Sequence, residues 1–319
     1  MLKNRILSTL KFFDLQDYPL TLLELRRFLI APKENLSLQI DGSGEIIATN
    51  LSPDPIAPVL ADEILKCLEN DCQAEVKNIF GFYYLNGREN LVKQRLENYY
   101  FGINREKQIN RFIKGLRHLP FVRGVALAGS QAMGQQKETS DIDLFIVVCP
   151  GYMWLARTLI TGYFQVLGKR RYGQYIANRF CLNHYIMGPK EITNLKNLYT
   201  ASEYLKLRPL IYEHSIWQFQ KINEQWLKIF FPNFALTEPA AGKQSLVQKA
   251  FEYLLDNSFG RWINEVLKNW QLPKIRTEKF IVVEEDELSF HPESKQQRLL
   301  SDFNKFQKQE QRVAEELVV

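Results

Sequence analysis

Between residues 122 and 187 the apolar positions come in blocks. Val122 to Ala128, Asp141 to Val148 and Phe180 to Met187 are dense in valine, isoleucine and phenylalanine, as strands packed on one or both faces require. Between the second and third blocks the period changes. Tyr152, Leu155, Ala156, Leu159, Ile160, Tyr163, Val166 and Leu167 share one helical face, with Arg157, Thr158, Thr161 and Gln165 opposite. A helix laid on a sheet has this pattern, whereas a bilayer span needs about 20 residues apolar all round. No membrane span is expected.

The first third starts with an amphipathic run, Leu2 to Phe13. Thr21 followed by Glu24 forms a capping box that opens a second helix, running to about Ile30. Ala31 to Pro58, with Asp41-Gly42-Ser43-Gly44 and four prolines, reads as loop with room for a short strand pair. A third helix over Ala61 to Glu69 precedes two β-prone pieces, Val76–Ile79 and Phe82–Leu85, closed by Asn86-Gly87. Helices followed by a hairpin are the order of a winged helix. Arg88 to His118 is helical. Beyond Lys190 the pattern is mostly helical: a capping box at Thr200-Ala201-Ser202-Glu203, a run Trp217–Phe230 ended by Pro232, and a helix over Ser245–Leu255. A short strand, Phe280–Val283, and a charged helix from Glu293 to Leu317 complete it. The expected class is α+β, divided into a winged-helix-like domain (1–100), a small mixed sheet with helices (101–190) and a mostly helical domain (191–319).

Composition narrows the function classes. A net charge of +5 and a pI near 8.8 suit a phosphate-handling protein. Acids at Asp14, Asp17, Glu24, Glu63, Glu69 and Asp71 leave the first third without a basic face, which favours packing or dimerisation there over DNA binding. Cys67, Cys72, Cys149 and Cys181 show no metal-ligand spacing, and Lys3, Arg5 and Lys11 interrupt the first apolar run before it reaches signal-peptide length. A cytoplasmic protein is expected.

The candidate chemistry lies at the strand ends. Gly129-Ser130 follows the first strand, and glycine lets backbone N–H groups approach a phosphate closely. The next strand opens Asp141-Ile142-Asp143, and its period of two puts both carboxylates on one face. Two adjacent carboxylates repel unless a cation lies between them, so a divalent ion is their natural partner.

The run Ala128-Gly129-Ser130-Gln131-Ala132-Met133-Gly134, then Ser140-Asp141-Ile142-Asp143-Leu144, resembles the polymerase-beta-like nucleotidyltransferase superfamily. The resemblance implies that residues 101–190 are a nucleotidyltransferase core. It also implies that Gly129 and Ser130 bind a nucleoside triphosphate, and that Asp141 and Asp143 are catalytic and hold Mg²⁺. Active family members commonly carry a third carboxylate on the following strand. Here the matching position is Asn183, and no acid occurs between Leu144 and Lys190. Asparagine can offer a metal its carbonyl oxygen but brings no charge and takes no proton. Two readings follow. One is Mg²⁺-dependent transfer of a nucleoside monophosphate to a hydroxyl acceptor that the sequence does not identify, with release of pyrophosphate. The other is a non-catalytic nucleotide-binding or regulatory descendant, with DNA binding by the first domain as a further, less favoured role. Arg157, Lys169, Arg170, Arg171, Arg179 and Lys190 make the acid-free segment positive, which would favour an anionic substrate, although Lys169 to Arg171 fit an exposed, solvated basic turn slightly better. His184 should point into the core, and Tyr99, Tyr100, Tyr172 and Tyr175 fit packing better than base stacking.

Overall fold

The computed structural model describes residues 1–32, 37–40, 46–50, 56–193, 196–277, 282–290 and 293–316. Asp41 to Gly44, Phe280, His291 and Leu317 lie outside the described residues. The chain begins with α1 (Leu2–Asp14), β1 (Leu20–Thr21) and α2 (Leu22–Arg27). Thr21 caps α2 as expected: its hydroxyl accepts from the Glu24 N–H while the Glu24 carboxylate accepts from the Thr21 N–H. Next come β2 (Ser37–Ile40) paired with β3 (Ile46–Asn50), then α3 (Ala61–Asn70) and the hairpin β4 (Val76–Ile79) and β5 (Phe82–Leu85). β1 joins the hairpin along β5, giving a sheet ordered β1-β5-β4.

The long helix α4 (Asn90–Ile113) and a 3-10 turn, Lys114–His118, lead into β6 (Val122–Leu127), the single turn α5 (Gly129–Ala132), β7 (Ile142–Val148), α6 (Met153–Val166) and β8 (Phe180–Met187). Then follow α7 (Leu198–Lys206), β9 (Arg208–Ile211), α8 (Glu213–Ile222), α9 (Glu224–Phe230), α10 (Leu246–Leu255) and α11 (Ser258–Ile275). β10 (Val282–Val283), β11 (Glu287–Ser289) and α12 (Glu293–Glu316) complete the order. Six strands form one mixed sheet, β10-β11-β8-β7-β6-β9, in which β7 and β8 run parallel across α6 and the other pairs are antiparallel. The chain is therefore α+β around a mixed sheet.

Alternation along β7 divides the core. Leu144, Ile146 and Val148 face α6, where Ala156, Ile160 and Phe164 meet them. Phe145 and Val147 face the opposite cluster of Tyr204, Phe219 and the N-terminal helices. That second cluster is continuous from Ile6 of α1 to Phe303 of α12.

The structure differs from the pattern in three places. α7 starts at Leu198, because Asn197 caps it by accepting from the Thr200 N–H, so Thr200 is inside the helix. The Trp217–Phe230 run is two helices meeting at Asn223, whose side-chain oxygen accepts from the Trp226 indole N–H and the Ile192 N–H. β1, β9, β11 and α11 have no counterpart in the expected elements. β9 carries Pro209, which a strand tolerates at the sheet edge where β9 lies, and α11 contains Gly260 and Pro273.

Candidate active site

At the end of β6 the Ala128 N–H donates to the Asp143 carbonyl (3.0 Å), so the chain is still laddered to β7 where it turns. Gly129 then adopts a φ of 59°. A side chain there would be excluded twice, since a Cβ would lie 2.8 Å from Asp143 Oδ2 and L-residues avoid this backbone region. The turn closes on itself, with the Met133 and Gln135 N–H groups donating to the Ser130 carbonyl (3.2 and 3.0 Å), and the Ser130 side chain is exposed.

Asp141 and Asp143 flank buried Ile142 at the start of β7, on the same side, as the period of two requires. The loop before them is held from α4: buried Arg105 donates to the carbonyls of Lys137 and Ser140. Asp141 pairs with Arg171, Nη1 to Oδ2 at 2.5 Å, and the same nitrogen lies 3.2 Å from Cys181 Sγ. Asp143 accepts from the Asn183 amide, and Asn183 accepts from the Cys181 thiol. Burial, then the neighbouring Asp143, pushes the Cys181 thiol up to about 12. It stays protonated at neutral pH.

Among the described residues, one group of side chains is placed to hold a metal: Asp141, Asp143 and Cys181 have ligand atoms within 4.8 Å of one another. Two carboxylates suit a hard cation such as Mg²⁺, whereas a protonated thiol does not, so the oxygens fit the ion and Cys181 is their neighbour. Asn183 adjoins Asp143 with its amide directed to the carboxylate.

These groups open on a cavity of about 600 Å³. Gly129, Ser130, Asp141, Asp143, Arg171 and Asn183 form one wall. The others come from far away in sequence: Phe13 at the end of α1 and Leu15 to Tyr18 after it, Tyr199, Glu203 and Lys206 of α7, and Gln296, Arg298 and Asp302 of α12. Buried Lys206 joins two of these walls, donating to Gln16 Oε1 (3.0 Å) and Glu203 Oε1 (3.2 Å). Sequence reasoning placed every candidate beyond Arg123 and missed these walls. The Thr21–Glu24 capping box was the one available hint, since Glu24 also accepts from the Tyr18 hydroxyl at the rim (2.8 Å).

The basic segment contracts to one residue at the site. Arg171 alone of the six cations lines the cavity. Lys190 is engaged by Glu284, Asp286 and Glu287 (3.1, 2.7 and 3.2 Å), and Arg157 by Gln271. Lys169 sits over Phe112, and Arg179 donates to the Gly168 carbonyl and lies over Tyr172 and Tyr175. His184 is in the core, 3.0 Å from Glu287, as its strand parity predicts. None of the four tyrosines named from the sequence lines the cavity; Tyr18 and Tyr199 do.

Residues 109–178 match the family model described as a nucleotidyltransferase domain. The match takes in Gly129, Ser130, Asp141, Asp143 and Arg171 and ends before Asn183. No curated protein and no solved structure matches the chain. With the glycine turn, the paired aspartates and the family match all falling in one segment, residues 109–178 are a nucleotidyltransferase domain of the polymerase-beta-like superfamily.

Proposed function

We propose that the protein transfers a nucleoside monophosphate from a nucleoside triphosphate to a hydroxyl acceptor in a Mg²⁺-dependent reaction. A bond forms between the acceptor oxygen and the α-phosphorus, and pyrophosphate leaves. The observation that carries this reading is the Gly129 backbone pressed against Asp143, with Asp141 on the same strand face, all open to one cavity. In this reading Gly129 and Ser130 bind the triphosphate through backbone N–H groups and the Ser130 hydroxyl, and Asp141, Asp143 and the Asn183 carbonyl oxygen would hold the metal. Bound Mg²⁺ would neutralise phosphate charge and orient the phosphates. Arg171, already at the carboxylates, would swing to the triphosphate once a cation takes its place. The test is pyrophosphate release by the full chain with each of the four common triphosphates, Mg²⁺ and a cell extract as the acceptor source. Release by the wild type and none by Asp143→Ala is expected; equal release by both would end the reading.

One observation favours a second reading, a nucleotide-binding module without turnover. Arg171 and Asn183 satisfy both carboxylates from within the chain. Thermal stabilisation by a triphosphate with no pyrophosphate release would select it.

The division into domains at 1–100, 101–190 and 191–319 and the cytoplasmic location belong to the same proposal. Free thiols at Cys67, Cys72, Cys149 and Cys181 support the location. The order α1, β1, α2, α3, β4, β5, with the strand pair β2-β3 inserted between α2 and α3, and a sheet β1-β5-β4 support a winged-helix first domain. Packing rather than DNA binding is its role in this reading, because Arg26 and Arg27 of α2 are spent on the Val59 and Leu205 carbonyls (3.2 and 3.0 Å).

A further inference from the structure

α10 is laid against the protein by its polar side. Buried Gln248 donates to the Val122 carbonyl (2.8 Å) and accepts from the Tyr212 hydroxyl (2.6 Å). One turn on, Glu252 accepts from the Phe121 N–H (2.6 Å) and pairs with Arg123 (2.7 and 3.0 Å). These bonds fix the helix's rotation and send Val247, Phe251 and Leu254 outward, 47, 50 and 64% exposed. α11 is pinned in the same manner by Asn264, whose Oδ1 accepts from the Trp154 and Leu155 N–H groups (3.0 and 3.1 Å). Its opposite stripe, Phe259, Trp262, Val266 and Trp270, follows a spacing of three, four and four residues and is 60, 60, 47 and 59% exposed.

Leu255 of α10 and Ile263, Leu267, Leu272 and Ile275 of α11 join the inward amides and Glu252 in packing on the core, so the outward rings lie off the faces that the helices' own packing uses. Such a patch marks a docking surface. Among the described residues, nothing covers it.

The charge around the patch selects the occupant. From residue 243 to 277 the cations are Lys243, Lys249, Arg261, Lys268, Lys274 and Arg276, against Glu252, Asp256 and Glu265. Glu252 pairs with Arg123 (2.7 Å), Asp256 with Arg261 (3.8 Å) and Glu265 with Lys268 (3.5 Å), which leaves the charges of Lys243, Lys249, Lys274 and Arg276 unbalanced by these acids. The rim is positive, so a second copy would set like charge against like. Lys274 lies over the Trp270 ring, 4.0 Å from its centroid, with its stem along the apolar face and its amine at the edge. Tryptophan and phenylalanine toward one side, with lysine and arginine at the margin, is the composition of a helix lying in the headgroup layer of a bilayer. No helix of the described residues is long and apolar enough to cross one.

We propose that α10 and α11 seat this protein on an anionic lipid bilayer as a peripheral surface contact. The test is flotation of the full chain with vesicles of phosphatidylcholine alone or with added phosphatidylglycerol. Partition onto anionic vesicles should exceed that onto neutral ones by about ten-fold and fall as salt rises. Trp262→Ser with Trp270→Ser should lower it by about ten-fold with unchanged thermal melting. Lys249→Glu with Lys274→Glu should also lower it, and provides the second variant if the tryptophan pair fails to fold. Vesicles with brominated acyl chains should quench wild-type tryptophan fluorescence. No binding to anionic vesicles, equal binding to both kinds, or absence of quenching overturns the proposal. So does a dimer in sedimentation velocity that the tryptophan substitutions dissolve, which would assign the face to a second copy.

Discussion

At the residue scale, the parts legible in the sequence are those fixed by local geometry. Asp141 and Asp143 share a face because a strand alternates, and glycine suits position 129 because the chain turns there with a positive φ against Asp143. Arg105, Arg171 and Cys181 were not legible as site neighbours, because only the packing of α4, the turn after α6 and β8 brings Arg105 to the loop before the aspartates and Arg171 and Cys181 to the aspartates themselves. Gly129→Ala should abolish triphosphate stabilisation, since the new Cβ falls 2.8 Å from Asp143 Oδ2 and the backbone conformation costs a further ~1–2 kcal/mol. Thermal shift with a triphosphate and Mg²⁺ checks this, and a full wild-type shift would refute it. Asn183→Asp makes a sharper case. The amide that donates to Asp143 becomes a carboxylate facing another, so without divalent ions the variant should melt below the wild type. Added Mg²⁺ should then raise its melting temperature more than the wild type's, and the variant should need less Mg²⁺ for any transfer. A variant equally stable with and without Mg²⁺ would separate position 183 from the metal.

At the element scale, strands whose composition agrees with their place in the sheet were readable, as β4, β5 and β8 were to the residue. Elements maintained by distant partners were not. β11 is short, and it is held to β8 by a buried cluster in which Glu287 meets His184 (3.0 Å) and Lys190 (3.2 Å). Burial opposes ionisation of Glu287, but His184 and Lys190 outweigh it and hold the carboxyl below its ordinary value of 4.5. A depressed carboxyl stabilises the fold above that ordinary value and ceases to do so as pH falls through the lower, folded one. Lys190 is the mirror image. Burial opposes its charge, yet Asp286, Glu284 and Glu287 raise it to about 12, so its contribution is complete below 10.5 and fades as pH rises through about 12. Glu287→Gln should therefore cost about 3 kcal/mol at pH 7, and the gap to wild type should close in acid. Urea melts across pH would show it, and a gap independent of pH would exclude this account. α6 was legible from its periodicity, yet its first turn depends on a distant partner. No side chain of its own caps it, and Asn264 of α11 satisfies the Trp154 and Leu155 N–H groups instead, so Asn264→Ala should cost about 1–2 kcal/mol in the same melts.

At the scale of the whole molecule, the pattern of elements separates the first third from the rest, but the packing sews them together. Phe12 meets Phe303 edge to face (5.5 Å between centroids), and Phe28 meets Phe231 in the same way (6.4 Å). The Ala31 N–H donates to the Phe230 carbonyl (2.9 Å), and the Asn233 amide donates to the Arg26 carbonyl (2.8 Å). No local periodicity announces such contacts, because each joins residues roughly 200 or more positions apart. They also make the segment after α1 a wall of the cavity, with Gln16 and Asp17 facing it. Deleting residues 1 to 88 would expose Phe231 and Phe303, and should lower the melting temperature by on the order of 10 °C or drive aggregation. The loss of nucleotide affinity that follows would not by itself say whether the wall touches ligand. Gln16→Ala with Asp17→Ala in the intact chain removes the wall's polar groups and leaves Phe12, Phe13 and Tyr18 in place. If the wall contacts nucleotide or acceptor, this variant should stay folded, with melting lowered only by loss of the Lys206–Gln16 and Arg88–Asp17 contacts, while its triphosphate affinity or its acceptor dependence weakens. If both are unchanged while the truncation still loses binding, the N-terminal segment serves the site by holding the core closed, and contact with ligand is ruled out for these two side chains.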